Sequence, residues 1–185
     1  MPTIFWKWGL GLASYLLPYA LEIKNKDAKY YATDLSEKML EVGKKRLQDS
    51  LEKYGSKLSF NDWISKNKLI LKKANGEMPF ELGLKFDRII CNMVLMDTEN
   101  PEIMLANLYN ESSTGCLLGA SIWGDPSKNF YHPLMEQLMR ENDLEVSKER
   151  SLFFLYNNLK QLAEKVGWKT VVYWDQVASL PYLTA

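Results

Sequence analysis

Between Lys29 and Leu40 an apolar, aromatic run ends on Asp34 and passes within two residues into an amphipathic helix, and this strand-to-helix step recurs along the chain. Thr3 to Trp8 has the aromatic and β-branched content of a first strand, and Gly9 and Gly11 open a helix-like segment, Leu12 to Leu21, that Pro18 kinks or ends. Lys29 to Thr33 forms the second strand. In the helix that follows, Leu40, Leu47, Leu51 and Tyr54 return at helical spacing as one buried stripe. Leu69 to Leu71, Phe86 to Cys91 and Cys116 to Ile122 read as strands three to five, with a helix from about Glu102 to Tyr109 between the last two. Helical stretches around Leu134 to Met139 and over Asn157 to Val166 precede a sixth strand, Thr170 to Trp174. Strands and helices in such alternation predict an α/β chain with a doubly wound, mostly parallel sheet and helices on both faces.

A chain of 185 residues suffices for one core under one sheet, so residues 1–185 are expected to form a single domain. The 23 basic and 23 acidic residues balance to a formal charge of zero, which argues against nucleic acid as a direct ligand. Cys91 and Cys116 lie in separate apolar runs, a pattern of buried free thiols that predicts an intracellular, reducing compartment. His132 is the single histidine and has no CxxC near it, so no metal site is expected. The uncharged run from Gly9 to Leu21 is shorter than the ~20 residues of a membrane span, and it lacks the basic start and small-residue cleavage site of a secretory signal.

Asp34 has two readings. A carboxylate at the carboxyl end of a parallel strand accepts the hydroxyl protons of a nucleotide ribose; equally, Asp is a common cap of the helix that follows. Four segments in order, Asp34 to Leu40 (DLSEKML), Ala74 to Phe80 (ANGEMPF), Phe86 to Asn92 (FDRIICN) and Gly115 to Ser121 (GCLLGAS), resemble class I S-adenosylmethionine-dependent methyltransferases. The resemblance covers about residues 9 to 174. It implies a Rossmann-like sheet of order 3-2-1-4-5-7-6, with the seventh strand short or missing, and S-adenosylmethionine as cofactor. By similarity, Asp34 would hold the ribose, Leu35 would pack on adenine, Asn75 with the Gly76 backbone would bind the adenine edge, and Asn92 and Met93 would sit nearer the sulfonium. Asn75-Gly76 is also an ordinary turn signal. The implied reaction is an in-line displacement on the sulfonium methyl, in which the protein mainly aligns the reactants and excludes water. His132 is the candidate general base for an oxygen or nitrogen acceptor, or else a surface residue.

The sequence departs from the family in its first loop. With Gly9 and Gly11 on the last two glycines of the acidic-x-Gly-x-Gly-x-Gly pattern, Lys7 falls on the first glycine and Phe5 on the acid, with Trp8 between. Members usually carry covering helices before strand one and a long final strand, whereas this chain starts near strand one and runs only from Asp175 to Ala185 after strand six. Two function classes follow. One is a methyltransferase acting on a small molecule or protein; the other is a catalytically degenerate, methyltransferase-fold subunit of an assembly, in which a protein partner covers the short N-terminal or C-terminal edge.

Overall fold

Tyr30 and Ala32 alternate with Tyr31 and Thr33 along one strand, and both sets are buried. A strand buried on both faces belongs inside a covered parallel sheet. The computed structural model describes residues 4–8, 28–53, 59–66, 69–80, 83–128, 131–144 and 152–176. Among these residues lie five strands, β1 (Ile4–Trp8), β2 (Lys29–Asp34), β3 (Leu69–Lys73), β4 (Phe86–Asn92) and β5 (Ser112–Ser121). They pair in the order β3-β2-β1-β4-β5, each pair parallel. β1 thus lies in the middle, with Phe5 beside Tyr30 on one side and Arg88 on the other. Phe5, Lys7 and Trp8, aligned above with the glycine pattern, are all strand residues.

One core lies under α1 (Glu37–Lys53), whose Leu40, Leu47 and Leu51 pack with Ala28, Tyr30, Ala32 and Leu69. Tyr54, the expected end of that stripe, is outside the described residues. Tyr31 faces the second core, with Phe86, Ile89 and Cys91 of β4, and Met104, Leu105 and Leu108 of a helix after it. A short helix, α2 (Phe60–Lys66), precedes β3 and was not expected from periodicity. Its start carries a local signal nonetheless: Ser59 Oγ accepts the Asp62 N–H at 3.2 Å and donates to Asp62 Oδ2 at 2.6 Å.

α3 (Pro101–Asn110) starts at Asn100, whose side chain accepts the Ile103 N–H, with Pro at the position where no N–H is needed. α4 (Tyr131–Glu141) and α5 (Leu152–Lys165) follow β5. Leu155 and Ala163 of α5 are buried, and Lys165 pairs with Glu102 of α3 at 2.8 Å. The expected helix from Leu12 to Leu21 lies outside the described residues.

The sixth strand is a correction. Thr170 to Trp174 is not strand, and Val172, Tyr173 and Trp174 are 74%, 70% and 77% exposed. Gly167 and Thr170 have φ of 113° and 57°, which break an extended run, and Trp168 ties the segment to α3 through an Nε1–H bond of 3.3 Å to Leu105 O. Among the described residues the sheet therefore ends at β5, without the strands 7 and 6 of the expected order. Residues 177–185, where a seventh strand would fall, are outside them.

Candidate functional site

At the end of β2, Asp34 is half-buried, and its Oδ1 accepts the Ser36 N–H at 2.9 Å. The helix cap is Ser36 rather than Asp34: its Oγ faces the Met39 N–H at 3.4 Å, and its carbonyl accepts the first helical bond from Leu40. The Asp34 carboxylate thus takes part in the turn at the end of β2. Leu35 between them is 59% exposed, an apolar side chain at the strand end.

The backbone carries β2 directly into the next segment. Asp34 O accepts the Ala74 N–H at 3.0 Å, so Asn75 follows immediately beside the end of β2. Asn75 closes a turn: its carbonyl accepts from Met78 N at 3.1 Å and its Oδ1 from Glu77 N at 3.0 Å. An N–H partner fixes the oxygen of the carboxamide toward the turn. Gly76 is buried against α3, where an added Cβ would lie 2.8 Å from Met104 Sδ.

The end of β4 is built with β5. Ser121 Oγ donates to Asn92 Oδ1 at 2.7 Å and accepts the Met93 N–H at 3.1 Å, while Ser121 O accepts the same N–H at 2.9 Å. Met93 has φ 54°, a left-handed conformation that a non-glycine residue keeps only where its surroundings fix it. Ser121 lies inside the GCLLGAS segment, but no sequence spacing linked it to Asn92.

Past β5, Asp125 accepts from the Ser127 N–H at 2.9 Å and the Ser127 hydroxyl at 2.6 Å, which hold its carboxyl below the usual range. Tyr156 of α5 donates to Asp175 Oδ2 at 3.1 Å, and that carboxylate pushes the phenol up. Burial pushes the Cys91 thiol up to about 12 and Cys116 up to about 11, so neither is a ready nucleophile; both are free thiols.

The fold brings Asp34, Leu35, Asn75, Gly76, Asn92 and Met93 to one end of the sheet, since each lies at or after the carboxyl end of a parallel strand. Gly9 and Gly11 are outside the described residues, as is the His132 side chain, although His132 falls within α4. Among the described residues no three His, Cys, Asp or Glu side chains group as a metal site, and no helix is long and apolar enough to cross a membrane.

A family profile described as a methyltransferase domain matches residues 7–111, and no curated protein matches the chain. Among solved structures, the CurJ carbon methyltransferase is similar at 16% identity and a TM-score of 0.60, over 97% of this chain and 45% of that one. The arsenic(III) S-adenosylmethionine methyltransferase CrArsM from Chlamydomonas reinhardtii is similar at 20% identity and a TM-score of 0.56, over 89% of this chain and 51% of that one. PKMT2 from Rickettsia typhi, in complex with AdoHcy, gives 21% identity and a TM-score of 0.55, over 92% and 30%. The chain spans about half or less of the length of these proteins. With more than half of its length matched by that profile, and with a Rossmann-like parallel sheet beneath it, this chain belongs to the methyltransferase-domain family and carries an S-adenosylmethionine-dependent methyltransferase-like domain.

Proposed function

We propose that this chain, as a single domain over residues 1–185, binds S-adenosylmethionine across the ends of β2, β3 and β4 and transfers its methyl group to a small molecule or a protein. In this reading Asp34 accepts the ribose hydroxyls, Leu35 covers an adenine face, and Asn75 with the Gly76 backbone holds the adenine edge. In the same reading Asn92 and Met93 serve the sulfonium side, and Gly9 and Gly11, outside the described residues, are assigned to the methionine end. The observation that carries it is the 3.0 Å bond from Ala74 N to Asp34 O, which joins the carboxylate and carboxamide segments at neighbouring strand ends. Their chemistry fits the ligand. A ribose diol presents two O–H donors to an acceptor-only carboxylate, and an adenine edge presents both donors and acceptors to a carboxamide and a backbone.

When bound, S-adenosylmethionine supplies an electrophilic methyl carbon on a positively charged sulfur. The chain's own part is alignment: side chains anchored on rigid strand ends hold the two reactants at one distance and direction. His132 is the candidate to take the proton from an acceptor oxygen or nitrogen. Calorimetric titration with S-adenosylmethionine tests the reading. Saturable binding that Asp34→Ala weakens about tenfold or more is expected; no heat at millimolar ligand would sink it.

A second reading keeps the fold without turnover, as a structural subunit whose partner covers an edge of the sheet. The exposed run Val172, Tyr173 and Trp174, which lies outside the sheet, offers a partner an apolar surface. Release of S-adenosylhomocysteine by the isolated chain with an acceptor library separates the two, since only the first predicts it.

A further inference from the structure

Two side chains with no part in the proposed ligand contacts tie the turn after β3 to α3. Glu77 Oε1 accepts the Asn100 N–H at 2.6 Å, and its Oε2 accepts the Glu99 N–H at 3.3 Å. Two helical turns further on, Asn107 Nδ2 donates to Gly76 O at 2.9 Å and to Met78 O at 3.2 Å. Asn100 in turn caps α3 through the Ile103 N–H at 3.1 Å. The short Asn75–Met78 turn is therefore held at its middle by a helix, not only by the strand it leaves.

We infer that Glu77 and Asn107 are positioning residues for adenine recognition, which fix Asn75 and Gly76 in their binding arrangement before a ligand arrives. The inference rests on the S-adenosylmethionine reading above. Each residue type suits its partners. Both groups facing Glu77 are N–H donors, so two acceptor oxygens are needed; a glutamine would turn an NH2 against one of them. The carboxylate charge also lies at the start of α3, where the helix dipole favours it. Both groups facing Asn107 are carbonyls, which require two donors from a single nitrogen. Without these bonds the turn would have to be ordered by the ligand itself, and that ordering lowers affinity.

The test is calorimetric titration with S-adenosylhomocysteine for the whole chain and for Glu77→Gln, Asn107→Leu, Asn75→Ala and Asp34→Ala, with thermal unfolding of each ligand-free variant. Glu77→Gln and Asn107→Leu should each weaken binding about tenfold while the variants remain folded. On the Asn75→Ala background the same two changes should cost clearly less than about tenfold, because one of the two groups they position, the Asn75 carboxamide, is gone while the Gly76 backbone remains; on the Asp34→Ala background they should keep their full effect. Folded Glu77→Gln and Asn107→Leu chains that bind within about twofold of the unmodified chain, while Asp34→Ala fails, overturn the inference and leave the cofactor reading intact. Full additivity with Asn75→Ala overturns it as well. Should one variant not fold, the other decides; loss of fold in both assigns the pair to stability and overturns positioning. No binding by the unmodified chain removes the cofactor reading and the inference together.

Discussion

Met104 lies so close beneath Gly76 that any side chain there must displace it: a Cβ would meet Sδ at 2.8 Å and Cε at 2.9 Å. Gly76→Ala should therefore destabilise the chain by about 1–3 kcal/mol, measured by urea unfolding, and by less when Met104 is first shortened to Val. An equal cost on both backgrounds would assign the effect to the turn itself. Cys91 makes a second prediction. Its thiol is fully buried and raised from an ordinary 9.0 to about 12, so it stays protonated in the folded chain where an unfolded one would ionise. The sign follows: the folded pKa is the higher, so its contribution to stability is complete below about pH 9 and is lost as pH rises toward about 12. Cys91→Ser is expected to flatten that alkaline decline in pH-dependent unfolding, and iodoacetamide should leave Cys91 unmodified in the folded chain at neutral pH. Rapid alkylation of Cys91 under those conditions would contradict its burial.

Among the elements, the link from α5 to the chain beyond it is the most sensitive to one residue. Gly167 has φ 113°, and a Cβ there would fall 2.8 Å from the Tyr109 ring, which stacks edge-on with Trp168 at 5.4 Å. Gly167→Ala should cost about 1–3 kcal/mol in urea unfolding. The same geometry explains why Thr170 to Trp174 departs from the strand its composition predicts. Its β-branched and aromatic residues have strand propensity, but Trp168 is anchored on α3 and Thr170 turns left-handed, so tertiary contacts override propensity. β2 and β4 were legible because buried parallel strands read as apolar runs, and α1 because Leu40, Leu47 and Leu51 form a stripe. The short α2 has too few turns for periodicity, although Ser59 and Asp62 gave its start a local signature. Asp34, Asn75 and Asn92 could be placed at one end of the sheet because a residue after a parallel strand has one place to go. Ser121, Glu77 and Asn107 act across long sequence separations, through bonds that leave no local pattern.

Across the whole molecule, the two faces of the sheet carry separate cores, one under α1 and one under α3 and α5. Apolar side chains remain exposed elsewhere: Leu134, Met135 and Leu138 on α4, Leu117 on β5, and Val172 to Trp174. Leu138→Lys and Trp174→Lys should each change unfolding free energy by less than about 0.5 kcal/mol, since neither side chain is buried, while lowering concentration-dependent association in sedimentation. A large loss of stability instead would mean that these residues are packed in the folded chain. The central place of β1 bears on how the chain is made. Phe5 pairs with Arg88, which leaves the ribosome roughly eighty residues later, on the order of 4–16 s at ordinary rates of synthesis. Throughout that interval the strand destined for the middle of the sheet has no β4 beside it, so the nascent chain passes through a stage in which its future centre is an open edge, the stage at which a chaperone or a pause in translation has most to protect.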